Sequence, residues 1–174
     1  MLEQLFDQLG PYAKDIKLNL MSVLGDDATT QLSHNQVLAI ALACAYACKQ
    51  AELIAHIKTL AESKLTANEL EAAKSAATIM AMNNIYYRFI HLVHDNDYQT
   101  LPARLRMTVM ANPGVDKKDF ELYALAVSAI NGCGMCMESH AKKLVGEGFS
   151  KVAIQSSIRI AAVIHATAQA LIIG

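Results

Sequence analysis

The apolar residues of this chain fall in long stretches separated by short polar or glycine-containing breaks. Helix signals recur throughout, and no stretch shows the sustained apolar–polar alternation of a half-buried β-strand. The longest apolar run, residues 37–48, ends at Lys49 and Gln50. This pattern predicts an all-α fold in which the run forms one of the helices.

Polar residues at the start of two stretches indicate helix N-termini. Ser33 and Gln36 have the spacing of a capping box, in which each side chain binds the backbone N–H of the other residue. Thr66 and Glu69 repeat that spacing. We therefore predict one helix over residues 37–48 and a second, long helix after Thr66.

The second half of the chain has helix signals of its own. Pro102 predicts the start of a short helix that ends near residues 112–114, an Asn-Pro-Gly turn. Asp116 predicts the start of a helix to Asn131, and Ser150 predicts the cap of a last helix that runs to the C-terminus.

Cys133 and Cys136 are the residues that most clearly indicate chemistry. Two thiols separated by two residues can close a small disulfide loop and reopen it. Gly132 and Gly134 break the predicted helices around Cys133, so the pair flanks the N-terminus of a new helix. Unpaired backbone N–H groups at that end favour a thiolate, and the sequence therefore predicts a dithiol redox site.

Two further residues belong to this predicted site. Helical spacing places His140 on the same face as both cysteines, where its imidazole can take a thiol proton and return it to a leaving group. Glu121, on the preceding helix, could orient His140. From spacing alone, a Glu121 side chain on a solvated helix face is an equally good interpretation.

A metal site is the main alternative for these cysteines. The pair and a nearby histidine supply at most three ligands, whereas a closed structural zinc site needs four. The sequence has no second CxxC or HxxxH within normal spacing, so we predict no bound metal. The other two cysteines, Cys44 and Cys48, lie in an alanine-rich apolar stretch and are interpreted as small buried core residues.

The two halves of the chain resemble each other weakly. Residues 38–43 are similar to residues 121–126, and both halves alternate caps with apolar helices. The sequence suggests a weak internal two-fold repeat within a single domain of residues 1–174. Only the second half, about residues 115–174, would then carry the redox site.

Composition limits the partners that this chain is expected to have. The 174 residues include 15 Lys+Arg and 16 Asp+Glu, a net charge of -1, so no basic face is predicted and a nucleic-acid partner is not expected. Only 18% of the residues are charged, against about 25% in an average globular domain. A polar shell this thin indicates that other subunits cover part of the surface, as in a homo-oligomer.

The sequence also bears on the cellular compartment. No apolar run reaches the about 20 residues of a membrane-spanning helix, and the N-terminal residues 1–7 lack the basic start of a signal peptide. We therefore expect a cytoplasmic protein without a membrane partner. In a reducing compartment, paired cysteines are more often catalytic or metal-binding than structural.

Several segments together carry a resemblance to a known family. They are Glu121-x11-Cys133-x2-Cys136-x3-His140 and residues 80–89, 101–107, 119–122 and 128–133. These segments resemble the AhpD alkyl hydroperoxidase family of the carboxymuconolactone decarboxylase-like superfamily. The resemblance covers most of the chain.

The resemblance implies an all-helical homotrimer that reduces organic hydroperoxides without a bound cofactor. It also implies that the protein regenerates the peroxiredoxin AhpC with electrons from dihydrolipoamide on a lipoylated protein. Cys136 would form the sulfenic acid and the mixed disulfide with AhpC, and Cys133 would be the proton donor and disulfide partner. Glu121 and His140 would be the proton relay.

One position departs from the family pattern. Some members carry a second histidine between the two cysteines, where this chain has Met135. The relay must then work without that imidazole, which favours the reductase role over direct peroxidase turnover. Two alternatives stay open: a carboxymuconolactone decarboxylase-like enzyme, a group that generally lacks the paired cysteines, and a non-redox helical interaction protein.

Overall fold

The computed structural model describes residues 2–25 and 30–174, and in these ranges the regular structure is helical, without a β-strand. The prediction of an all-α fold is therefore confirmed. A short 3₁₀ turn at Pro11–Ala13 precedes the second helix. The helices are α1 (Leu2–Asp7), α2 (Lys14–Leu24), α3 (His34–Cys48), α4 (Ala51–Glu62), α5 (Ala67–Leu92), α6 (Asn96–Thr100), α7 (Thr108–Ala111), α8 (Lys117–Ile130), α9 (Gly134–Gly146) and α10 (Lys151–Ile173).

Helix α3 forms the centre of the bundle. It packs against α4, α5, α8 and α10, and residues 37–45 are all buried. A helix that is apolar around its whole circumference can be stable only when neighbours cover every face. The apolar run identified in the sequence thus becomes the central helix on which the others assemble.

The predicted caps are confirmed at the helix starts. Ser33 Oγ accepts a hydrogen bond from the backbone N–H of Gln36, and Gln36 Oε1 accepts one from the N–H of Ser33. Thr66 and Glu69 form the same reciprocal pair at the start of α5. Side chains of Asp116 and Ser150 cap α8 and α10 as predicted; they accept from Lys118 N and Ala153 N.

The helix predicted to begin at Pro102 is wrong. Residues 102–107 are irregular, and the next helix begins at Thr108. Leu101 is extended, as a residue before proline prefers, and Arg104 has a left-handed φ of 52° that helical backbone does not allow. The predicted end is correct, because α7 ends at Ala111, just before the Asn-Pro-Gly turn.

Helix α10 is long and apolar enough to span a membrane by length and composition alone. In the structure it packs along α2, α3 and α8, and it buries Ile160 and Ile164 among them. A core helix of a bundle passes the same test of length and composition. The absence of a membrane partner stays a prediction.

The structure does not establish the internal repeat. One local similarity does exist between the α3–α4 and α8–α9 corners. Lys49 and Gly132 both have a positive φ, and the next residue, Gln50 or Cys133, caps the following helix with its side chain. The repeat therefore stays a suggestion from the sequence.

Candidate functional site

The site is built on a tight corner between α8 and α9. Gly132 has a φ of +70°, which lets the chain turn directly after α8. Its N–H donates to the Ala129 carbonyl, and the N–H of Cys133 donates to the Ser128 carbonyl at 3.1 Å. This pair of bonds is a Schellman motif, and it fixes Cys133 at the start of the next helix.

Cys133 is the N-cap residue of α9. Its Sγ accepts a hydrogen bond from the backbone N–H of Cys136 at 3.3 Å, and a disulfide joins the two sulfurs. Cys133 is fully buried, whereas Cys136 retains 7% exposure and lines a cavity. The cavity therefore gives access to the sulfur of Cys136 and not to that of Cys133.

His140 and Glu121 form a buried pair beside the cysteines. Nδ1 of His140 lies 2.6 Å from Oε2 of Glu121, which is only 2% exposed. The alternative of a solvated Glu121 is therefore wrong. Because Glu121 engages Nδ1, the other ring nitrogen, Nε2, is the one that can exchange a proton with a reacting group.

Lys143 adds a second partner that the sequence analysis did not identify. Its Nζ donates to Oε1 of Glu121 at 2.5 Å, so both carboxylate oxygens are engaged. Burial acts to raise the pKa of Glu121, but the hydrogen bonds and charges of His140 and Lys143 outweigh it and lower that pKa. Glu121 is therefore held as a carboxylate that can orient and stabilise a protonated imidazole.

A cavity of about 340 Å³ opens beside Cys136 and His140. Its walls come from α5, from α7 and the residue before it, and from the first turns of α9. Four of the nine lining residues are methionines: Met80, Met107, Met110 and Met135. A cavity of this size and apolar character suits a small organic molecule.

A polar network ties α5 to the corner that holds Cys133. Nδ2 of Asn84 donates to Oγ of Ser128, and Nδ2 of Asn131 donates to Oδ1 of Asn84, both at 2.9 Å. Arg88 donates to the Asn131 carbonyl at 2.7 Å. The sequence analysis did not identify this network. Asn83 and Asn84 could have indicated it, because asparagine has a low helix propensity and two in a row inside a long helix need a reason.

Cys44 and Cys48 lie apart from this site, on α3. Cys44 is fully buried, as predicted, but Cys48 is only partly buried, and its Sγ lies 3.8 Å from Nδ1 of His165. Burial raises the pKa of both thiols, that of Cys48 to about 11. Neither is therefore a thiolate at neutral pH.

Comparison with known proteins identifies a family and several relatives that this chain resembles. The sequence model of the carboxymuconolactone decarboxylase family matches residues 96–171. A protein of Coxiella burnetii (strain Dugway 5J108-111), named alkyl hydroperoxide reductase AhpD, is 58% identical over 99% of this chain and 98% of its own length. Proteins of the same name from Rhodopseudomonas palustris (strain BisA53) and Bradyrhizobium sp. (strain ORS 278) are 50% and 49% identical; they cover 99% and 98% of this chain and 94% and 92% of their own lengths.

Proposed function

Because the chain belongs to the AhpD family within the carboxymuconolactone decarboxylase superfamily, we propose that it is an alkyl hydroperoxide reductase that works through a Cys133–Cys136 dithiol. The observation that carries this proposal is the arrangement of the pair. The two sulfurs are bonded at the N-terminus of α9, and Cys136 and His140 line one cavity. Glu121 binds the far side of that histidine.

Peroxide reduction starts from the reduced pair, in which His140 takes the proton of the Cys136 thiol. The Cys136 thiolate attacks the terminal oxygen of the hydroperoxide, an S–O bond forms, and the O–O bond breaks. Cys133 supplies the proton that the departing alkoxide needs, and the His140–Glu121 relay moves it. The products are an alcohol, a Cys136 sulfenic acid and a Cys133 thiolate, which the N–H of Cys136 stabilises.

The second step closes the disulfide. The Cys133 thiolate attacks the sulfenic sulfur, and the hydroxyl leaves as water with a proton from His140. Two electrons have then passed from the dithiol to the peroxide. We propose dihydrolipoamide on a lipoylated protein as the reductant that restores both thiols by thiol–disulfide exchange.

The same dithiol is proposed to regenerate the peroxiredoxin AhpC. The reduced Cys136 attacks the AhpC disulfide and forms a mixed disulfide, which Cys133 then resolves. Met135, between the cysteines, is 39% exposed and offers no titratable group. A cysteine pair without a titratable residue between its members supports electron delivery to AhpC as the main task, with direct peroxide reduction second.

A trapping experiment tests the partner role. In a Cys133→Ser variant the resolving thiol is missing, so Cys136 should accumulate a covalent adduct with AhpC on a non-reducing gel. The Cys133→Ser/Cys136→Ser double variant is the matched control and should give none. If no adduct forms while the wild type reduces organic peroxide at full rate, AhpC is not the partner.

We also propose that the protein is a cytoplasmic homotrimer. Turnover of the dithiol needs a compartment that keeps thiols reduced. Ile85, Phe89 and Leu92 follow helical spacing along one face of α5 and are 66%, 48% and 59% exposed. An apolar face of this kind supports contact with another subunit.

A further inference from the structure

Asn83 is a buried polar residue in the cavity wall to which the mechanism above gives no task. The residue is 5% exposed, and its Oδ1 has no hydrogen-bond partner among the residues that the structure describes. A buried acceptor without a partner costs free energy, so it needs a reason. The adjacent Asn84, in contrast, bonds to Ser128 and Asn131.

The surroundings of Asn83 indicate what kind of molecule would supply the missing hydrogen bond. The same cavity is lined by four methionines and by Cys136 and His140. Methionine side chains are unbranched and flexible, so they adapt to apolar groups of different shape. The cavity therefore suits a ligand with an alkyl body and one hydrogen-bond donor.

Resting on the function proposed above, we infer that the Asn83 carboxamide oxygen accepts the O–H hydrogen of the alkyl hydroperoxide. The alkyl group lies among the methionines, and the hydrogen bond holds the terminal oxygen for attack by Cys136. In the structure Oδ1 of Asn83 is itself enclosed, so the carboxamide must turn to present it to the cavity. Torsion about the last side-chain bond of asparagine is soft, and turning an oxygen that has no internal partner breaks no hydrogen bond to it. The amide itself is unchanged by the reaction.

This arrangement selects between peroxides. An alkyl hydroperoxide fills the apolar cavity and donates its single hydrogen to Asn83. Hydrogen peroxide has no alkyl group to bury against the methionines, so it gains none of that apolar contact. Asn83 and the methionines together thus favour alkyl hydroperoxides.

Two unreactive ligands of equal length test the hydrogen bond without turnover. The probes are 1-hexanol, which has an O–H donor, and methyl pentyl ether, which has none. Protection of reduced Cys136 from iodoacetamide reports binding. In the wild type, half-maximal protection should need roughly tenfold less hexanol than ether. A tenfold difference in affinity corresponds to one hydrogen bond whose net strength lies near the upper end of the usual range.

Asn83→Leu removes the acceptor and keeps the number and branching of the side-chain heavy atoms. In this variant the two probes should protect equally, and oxidation of the dithiol by 1-hexyl hydroperoxide should slow roughly tenfold. Asn68→Leu, the same change at an exposed position of α5, is the control and should behave as the wild type. Should Asn83→Leu not fold, Asn83→Ala removes the same acceptor and takes its place in the comparison of the two probes.

Three outcomes separate this inference from the proposed function. Equal protection of the wild type by both probes, or a hexanol preference that persists in Asn83→Leu, would overturn the role of Asn83 and leave the reductase function standing. A wild-type dithiol that no alkyl hydroperoxide oxidises would overturn the direct peroxidase step, even with the hexanol preference intact.

Discussion

At the scale of single residues, Lys143 helps to keep Glu121 ionised from a position that solvent can reach. Its side chain is about half exposed, yet its ammonium contacts the buried carboxylate of Glu121. Glu121 must be ionised to hold the Nδ1 proton of His140 and to present Nε2 for proton transfer. The site is therefore expected to work above the pKa of Glu121 and to fail below it.

Lys143→Met should shift the acid limb of the pH–rate profile to higher pH. Burial alone would raise the pKa of Glu121, and the variant removes one of the two partners that lower it. Stopped-flow rates of dithiol oxidation between pH 4 and 8 measure the shift. Near pH 8 Glu121 is ionised in both proteins, so the wild type and Lys143→Met should react at about the same rate there. Lys142→Met, an exposed neighbour without a contact to Glu121, is the control; an acid limb that moves equally in both variants would contradict the assignment.

The four cysteines should separate sharply in their reactivity. After reduction, iodoacetamide at pH 8 should label Cys136 in the folded protein and leave Cys44 and Cys48 unmodified, whereas the buried Cys133 should be labelled once the protein is unfolded. A thiol with a pKa of about 11 is only about one part in a thousand ionised at that pH. Peptide mass spectrometry before and after peroxide should show loss of both free thiols of the pair together, and oxidation of Cys48 in their place would overturn the site.

The sequence predicted part of this site because part of it is local. His140 and both cysteines share one helix and its cap, so spacing alone brings them together, and the structure decides between the two interpretations of Glu121 in favour of a contact with His140. Lys143 lies three residues after His140 and could have been found by the same spacing. The pair of adjacent asparagines in α5 is a signal of a polar role, but spacing could not assign Asn83 to this site, because the packing of α5 on α9 brings it to the cavity.

At the scale of secondary-structure elements, the α8–α9 corner depends on one backbone conformation. Gly132→Ala should destabilise the protein by about 1–2 kcal/mol, the cost of a left-handed φ for a residue with a Cβ atom. The added Cβ would meet only Arg88 Nη1, at 3.9 Å, so the penalty comes from the backbone and not from a clash. Urea unfolding of the oxidised protein measures it.

Gly146→Ala is the matched control for that change. Gly146 lies at the end of α9, and a Cβ there meets nothing within 4 Å. Alanine should leave stability equal or raise it by up to about 1 kcal/mol. If both variants lost the same stability, the left-handed corner would not explain the loss.

Element boundaries were predictable wherever a side chain satisfies backbone groups locally. The boxes at Ser33 and Thr66 and the caps at Asp116 and Ser150 work within one helical turn, so the sequence shows them. The irregular segment before Thr108 was not predictable in this way. Its left-handed Arg104 carries no signal of its own in the sequence.

At the scale of the whole molecule, the apolar face of α5 should mark the subunit contact. Phe89→Glu places a carboxylate on that face. Removing its hydration in a subunit contact would cost more free energy than the remaining apolar contact contributes. The wild type should scatter light as a trimer at micromolar concentration, and Phe89→Glu should shift it towards a monomer. Val152→Glu, at an exposed apolar position in the first turn of α10, is the control and should stay trimeric. A monomeric wild type would contradict the proposed trimer.

The chemistry and the fit of the substrate come from different parts of the chain. The thiols, the histidine and its partners all lie between residues 121 and 143, whereas the opposite cavity wall comes from residues 80–110. Substitutions in that wall can change which molecule fits without moving a reacting atom. Over evolutionary time, descendants of one ancestral helix pair could therefore diverge in what they accept while they keep the same way of moving electrons.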